Sequence, residues 1–273
     1  MDDKIETIQG SVIQHGHHND RVYLMHLHGT DHPVLIETID RLARAHGYGK
    51  IFAKIPATAW QRFQNAGYVQ EAIVPGFFKG EIDGLFIAKF LSKDRQQPTH
   101  ETGGVRGKNH RPRADKTANL PIMIEACAPA DAPTMAKIYA RTFGTYAFPI
   151  HRPAYIRQMM ARDTIYCCAR IKEEMAALAA AEIDPESQVC EMTDFATRLE
   201  YRRMGLAHRL LERLDEEAPN QGVKTAYTIA RSDSAGMNRV FEKAGYQYAG
   251  RLVNNTQIGG RIRSMNVWYK PLL

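Results

Sequence analysis

Residues 63–68 read FQNAGY, and residues 241–246 read FEKAGY. The offset that carries Phe63 onto Phe241 also carries Ala66, Gly67 and Tyr68 onto Ala244, Gly245 and Tyr246. A chain that writes one helix ending twice is constrained to two units with a common closing element. The phenylalanines pack inward, and the glycines supply the left-handed residue at which a helix stops. The length of 273 residues agrees, because single cores stop growing near roughly 250–300 residues. The first unit places two strands around a polar turn in IQGSVIQHGHHNDRVYLMHL, then a helix capped by Asp31 with Leu35, Ile36, Ile39, Leu42 and Ala43 at helical spacing. KIFAKIP, a short helix ending at Gly67, VQEAIVPGFF and GLFIAKFL follow, giving ββαβαββ. The second unit runs from IMIEAC to SMNVWYK as βααβββαβαββ. Both close on strand, helix, strand, strand. Two related α/β folds account for this, with common turn chemistry as the simpler alternative.

The boundaries read as 1–92, a basic flexible linker over 93–120, and 121–273. Between Ser92 and Pro121 basic residues outnumber Asp94, Glu101 and Asp115, and carry most of the formal charge of +6. Pro98, Gly103, Gly104, Gly107 and Pro112 interrupt the segment, and few large apolar residues remain to build a core. It also lacks aromatic side chains on which bases would stack, which argues against a nucleic-acid partner. No apolar run approaches the roughly 18 residues of a membrane span, so no membrane partner is expected. MDDKIETIQG has no secretory pattern, and Cys127, Cys167, Cys168 and Cys190 show neither CxxC nor disulfide spacing; both features point to reduced thiols and the cytoplasm. His15, His17, His18, His26 and His28 lack a metal-ligand spacing and read as a solvent-facing hairpin.

Chemistry is written most plainly into EMTDFATRLEYRRMGLAHRLLERL, residues 191–214. A strand enters an arginine-rich loop, and Arg202, Arg203, Met204, Gly205, Leu206 and Ala207 open a helix. A helix N-terminus offers unpaired N–H donors and partial positive charge, which together hold a pyrophosphate. Gly205 and Ala207 leave room for close approach, and the arginines can pair with phosphate oxygens.

The spacing R-x-x-G-x-A after a strand resembles the acetyl-CoA motif of the GCN5-related N-acetyltransferase (GNAT) superfamily. GYGKIFAKIPATAWQRFQNAGYVQEAIVPGFFKG, EMTDFAT, SAGMNRVFEKAGY and NNTQIGG with SMNVWYK are similar to the β-lysine N6-acetyltransferases. The resemblance implies an α/β (α+β) fold whose central mixed sheet has splayed parallel strands flanked by helices, preceded by a smaller, degenerate half of the same kind. It implies acetyl transfer from acetyl-CoA to the side-chain amine of β-lysine, a substrate made by lysine 2,3-aminomutase, with a compatible solute as product. Another small amine, such as α-lysine or a polyamine, and a non-catalytic CoA-binding module are the alternatives.

By the same resemblance, backbone at Phe195, Ala196 and Thr197 contacts the pantetheine arm, and Ser234 and Asn238 are further cofactor contacts. Glu191 stands where histone acetyltransferases carry their catalytic glutamate. An amine of pKa near 10.4 is almost wholly protonated at neutral pH, so a carboxylate base in a half-dry cleft fits the task. Asp194 shares the strand. A bulge there would turn it toward the cleft to pair with a substrate ammonium, the alternative being a bond to a backbone loop. Asn254, Asn255, Thr256 and Asn266 fall where the superfamily builds its acceptor wall, and Glu71 and Phe77 could reach the pocket from the first half. Two departures stand out: Phe241 occupies the place of the usual acidic tyrosine, and Arg263 falls where a carboxylate is expected.

Overall fold

The computed structural model describes residues 3–29, 32–97 and 121–272. Asp31, the expected helix cap, and residues 98–120 of the expected linker lie outside them. The first half runs β1 (Lys4–Ile8), β2 (Ser11–Gly16), β3 (Arg21–His26), α1 (His32–Ala45), β4 (Lys50–Pro56), α2 (Trp60–Asn65), β5 (Val69–Phe78), β6 (Ile82–Phe90) and α3 (Lys93–Gln96). The second runs β7 (Ile122–Ala126), α4 (Ala132–Phe143), α5 (Pro153–Met160), β8 (Thr164–Ile171), β9 (Glu174–Asp184), β10 (Val189–Thr197), α6 (Leu206–Glu217), β11 (Thr225–Arg231), α7 (Ala235–Lys243), β12 (Gln247–Ile258) and β13 (Arg261–Pro271). The second half keeps the order expected from its periodicity. The first gains β1, a mostly exposed edge strand. No helix among the described residues is long and apolar enough to cross a membrane.

Thirteen strands form one mixed sheet, ordered β1-β2-β3-β4-β6-β5-β12-β13-β11-β10-β9-β8-β7. The run β3-β4-β6-β5 repeats as β10-β11-β13-β12, each time a parallel pair followed by two antiparallel pairings. The repeated phrase closes the helix inside each run. Phe63 and Phe241 are buried, the next tyrosine N–H returns to each phenylalanine carbonyl, and Gly67 and Gly245 take φ of 84° and 85°. The likeness extends to side chains far apart in sequence. Tyr68 donates to Asp40, which also pairs with Lys89; Tyr246 donates to Asp215, which pairs with Lys270.

The halves meet edge to edge, where β5 and β12 pair antiparallel at Ala72 and Gly250. A Cβ on Gly250 would lie 2.3 Å from the Glu71 carbonyl oxygen, so a residue without a side chain is required for this approach. An apolar cluster spans the joint, with Phe52, Val74, Phe77 and Phe86 packed against Val189, Tyr227, Leu252 and Val267. Around it lies a polar belt. Lys50 and Glu71, both buried, pair at 2.8 Å; Glu71 accepts from the Val253 N–H at 2.7 Å, and Lys50 donates to the Val253 carbonyl at 2.7 Å.

This belt moves five expected acceptor residues out of the active site. Glu71 is engaged as just described. The Asn254 amide donates to the carbonyls of Asp94, Arg95 and Gln97. Arg21 donates to the Asn255 carbonyl and the Thr256 hydroxyl. Asn266 donates to Asn238 and accepts from Arg251. The Asn255 amide donates weakly to the Thr256 hydroxyl at 3.4 Å and its oxygen is buried without a partner, whereas the other four side chains each have a partner in the scaffold. The same contacts show that packed structure continues through Gln97, past the Ser92 boundary, with Arg95 buried against Asp20 at 2.9 Å. His15 is also buried, bonded to Tyr48 and Glu6, and does not face solvent as the sequence suggested.

Candidate active site

Strands β10 and β11 run parallel through three registered pairs, the last being Glu191 opposite Tyr227. Beyond it they part. The cause lies in β10, where one extra residue is accommodated between Thr193 and Ala196 and Asp194 takes φ of 57°. The expected bulge is therefore present, and Asp194 turns toward the opening. The opening is a cleft of ≈ 620 Å³. Its walls include Met192–Phe195 and Thr197 of β10, Thr228–Arg231 of β11, and Ser234, Met237, Val240 and Phe241 around α7.

At one end lie Arg202, Arg203, Gly205, Leu206 and Ala207, with His208 one residue further. Arg203 and Gly205 take φ of 70° and 73°, a turn that brings the chain into α6 with its first N–H groups unpaired. Arg202 bonds weakly to the Thr197 carbonyl at 3.4 Å, and Arg203 has no ion-pair partner among the described residues. His208 Nδ1 is buried without a hydrogen-bond partner. This donor-rich, carboxylate-poor end suits an anionic phosphate group.

Three expected cofactor contacts do not line the cleft. The Ala196 side chain is buried beneath α4, and Met204 packs into the core beneath α6. Asn238 donates to the carbonyls of Arg231 and Ser234 and accepts from Asn266 and Trp268, which ties α7 to the sheet. Phe241 is buried edge-on against Phe195, and its phenyl ring carries no ionisable proton to offer a thiolate.

Acidic and phenolic groups gather where the strands part. Glu191 accepts from the Tyr227 hydroxyl at 2.8 Å, and Lys54 of the first half donates to the same hydroxyl at 3.0 Å. On the other side of β10, Glu191 stands directly opposite Glu182 of β9. Burial pushes the Glu191 carboxyl above its ordinary range, while Lys54 and Tyr227 pull it back. Asp194 is pushed up by burial and the Glu191 charge, against the hydrogen bond from Tyr146. One of its oxygens has no partner. Glu182 is pushed up to about 8, by burial first and then by Asp194 and Glu191. Phe77 packs on Tyr227 at 5.1 Å, beside this group.

Tyr227, Lys54, Glu182 and Tyr146 were not singled out from sequence. The first three belong together only through strand register and the meeting of the halves, neither of which leaves a local signal. Arg263 is paired with Asp233 at 2.6 Å, away from these carboxylates.

The raised Glu182 value has a consequence for stability. In the unfolded chain this carboxyl ionises near its ordinary 4.5, whereas the folded protein holds the proton to about 8. Between those values the native state binds more protons, so stability falls as pH rises. Thermal melting should therefore drop from about pH 5 to about pH 8, and Glu182→Gln should flatten that drop. A slope unchanged by the variant would exclude Glu182 as its source.

A parallel pair that opens beside a carboxylate, with arginines and a helix N-terminus at its mouth, is the architecture of an acetyl-CoA-dependent N-acetyltransferase. The acetyltransferase (GNAT) family model matches residues 132–246. Over 98% of each chain the sequence is 35% identical to the β-lysine N6-acetyltransferase of Methanococcus maripaludis, and over 96% of each it is 30% identical to the N-acetyltransferase YodP of Bacillus subtilis. The Salmonella typhimurium protein yncA, solved with its cofactor acetyl-CoA, shares the fold at a TM-score of 0.50 and 16% identity, over 56% of this chain and 95% of that one. The chain belongs to the GNAT acetyltransferase family, and it shares both halves with its relatives from Methanococcus and Bacillus.

Proposed function

We propose that the enzyme moves the acetyl group of acetyl-CoA to the side-chain amine of β-lysine, giving N6-acetyl-β-lysine. The observation that carries this reading is a row of carboxyls where β10 and β11 part, with Asp194 in the cleft wall, Glu191 behind it on Tyr227 and Glu182 opposite Glu191, a set suited to an acceptor with more than one ammonium. The relative from Methanococcus maripaludis, named for the same reaction, supports it.

Acetyl-CoA supplies an activated acetyl thioester. Arg202, Arg203 and the α6 N–H groups at Gly205, Leu206 and Ala207 hold its pyrophosphate, and the unpaired edge of β10 at Phe195 and Thr197, with Ser234, lines the pantetheine path. Asp194 receives the incoming ammonium. Glu191 accepts one of its protons, directly or through a water, so that the nitrogen lone pair becomes available to form the amide. Tyr227 and Lys54 are positioning residues: the hydroxyl fixes one Glu191 oxygen, and the lysine limits how far the carboxyl's proton affinity rises. With Phe241 in place of a tyrosine, the departing thiolate takes its proton from water, which a thiol of pKa near 8.5 tolerates. The setting is the cytoplasm, with the acceptor supplied by an aminomutase acting on α-lysine.

The test is thiol release from acetyl-CoA with β-lysine, α-lysine and a polyamine offered separately. The reading requires kcat/KM to be highest for β-lysine. A higher value for either other amine would replace the acceptor, and release with none would leave only a CoA-binding module.

A further inference from the structure

A second cavity, of ≈ 410 Å³, lies between the halves, walled by Met25–Gly29, Lys54 and Phe77 from the first and Glu182, Asp184 and Tyr227 from the second. Its size is in the range of small-molecule sites. It meets the catalytic row at Tyr227, whose hydroxyl reaches Glu191. We propose that this cavity receives the amino-acid end of the acceptor, with Glu182 binding its second ammonium and Lys54 its carboxylate. The proposal rests on the β-lysine reading above and assigns the first half a part in substrate selection.

Four observations carry it. First, Glu182 and Glu191 are cross-strand partners, so Glu182, which keeps its proton in the free protein, gives it up to place a second charge beside Glu191 only when a cation lies between them. Second, the Glu182 carboxyl makes no hydrogen bond among the described residues, although it lines the cavity. Asp184, by contrast, already accepts from the N–H groups of Glu186 and Ser187 and so serves its own turn. Third, Asp194, at 4% exposure, keeps one oxygen without a partner on the cleft side of Glu191, so carboxyls await a cation on both sides of the catalytic residue. Fourth, the spacing matches. Directly opposed residues hold their Cβ atoms about 4.5–5.5 Å apart. The two nitrogens of 3,6-diaminohexanoate are five bonds apart, roughly 6 Å through space in an extended zigzag of bonds about 1.5 Å long. An acceptor amine at Glu191 therefore brings the second ammonium to Glu182 and leaves the carboxylate for Lys54, which lines the same cavity and whose ammonium donates to Tyr227, another residue of its wall.

The experiment compares β-lysine with 6-aminohexanoate, which lacks the second amine, and with 1,4-diaminopentane, which lacks the carboxylate. Glu182→Gln should lower the ratio of kcat/KM for β-lysine over 6-aminohexanoate at least tenfold, mainly through KM, and Glu182→Asp should recover part of it. Lys54→Met should cost β-lysine more than it costs 1,4-diaminopentane. Melting curves and acetyl-CoA binding confirm that each variant is folded. Losses equal on all acceptors would overturn the subsite while leaving the reaction in place. A wild type that does not turn over β-lysine would overturn the acceptor reading and the subsite with it.

Discussion

Glu191→Gln is expected to lower kcat by about 10²–10⁴-fold, the usual contribution of a positioned general base, with acetyl-CoA binding retained. Glutamine keeps the shape and can still accept from Tyr227 at the present 2.8 Å, so the variant removes proton affinity and little else. The wild-type carboxyl is raised by burial and restrained by Lys54 and Tyr227, so it is more basic than an exposed glutamate. The wild-type rate should accordingly climb with pH through that raised value, because only the ionised form accepts the ammonium proton. A fall in kcat of less than about tenfold would move the base elsewhere, with Asp194 the next carboxyl to replace.

The second large effect falls on stability. Glu71→Ala should destabilise the protein by about 3–5 kcal/mol, the cost of leaving a buried charge without its partner. Lys50 has no exposure and would lose a contact of 2.8 Å. Burial already lowers its ammonium to about 7 and raises the Glu71 carboxyl, so each tolerates its position chiefly because the other is there. Both also hold Val253, so the loss reaches the β5–β12 joint. Melting should drop by roughly 6–20 °C for a chain of this size. Replacing both residues by apolar ones, as in Lys50→Met with Glu71→Leu, should recover much of the loss. A melting point unmoved by Glu71→Ala would mean that Lys50 finds water or another partner.

The contrast between what the sequence revealed and what it hid follows from the range of the forces involved. Periodicity is local, and it gave the order of the second half strand by strand. The doubled AGY phrase is equally local, and it pointed to a repeat that proved to be a four-strand run of the same topology in each half. The arginine-rich entry to α6 was readable because a helix start is a local signal. Pairing between β5 and β12 is not local, and it redirected Glu71, Asn254, Asn255 and Thr256 from an acceptor wall to the joint. Asn266 and Asn238 bond to each other for a similar reason, since β13 passes beside α7. Lys54 and Glu182 lie far apart in sequence and come near Glu191 only once the sheet is assembled. The extra strand β1 was missed because KIETI is short and mostly exposed, with too little alternation to register.

The most direct test of the central claim is the structure of the product formed by the purified full chain from acetyl-CoA and β-lysine, read by mass and by two-dimensional NMR. The account predicts one acetyl group per molecule, on the side-chain nitrogen, with the amine beside the carboxylate end unmodified. Acetylation at that second amine would contradict the orientation argued from Glu191 and Glu182, and the absence of an acetylated product would contradict the assignment of the acceptor.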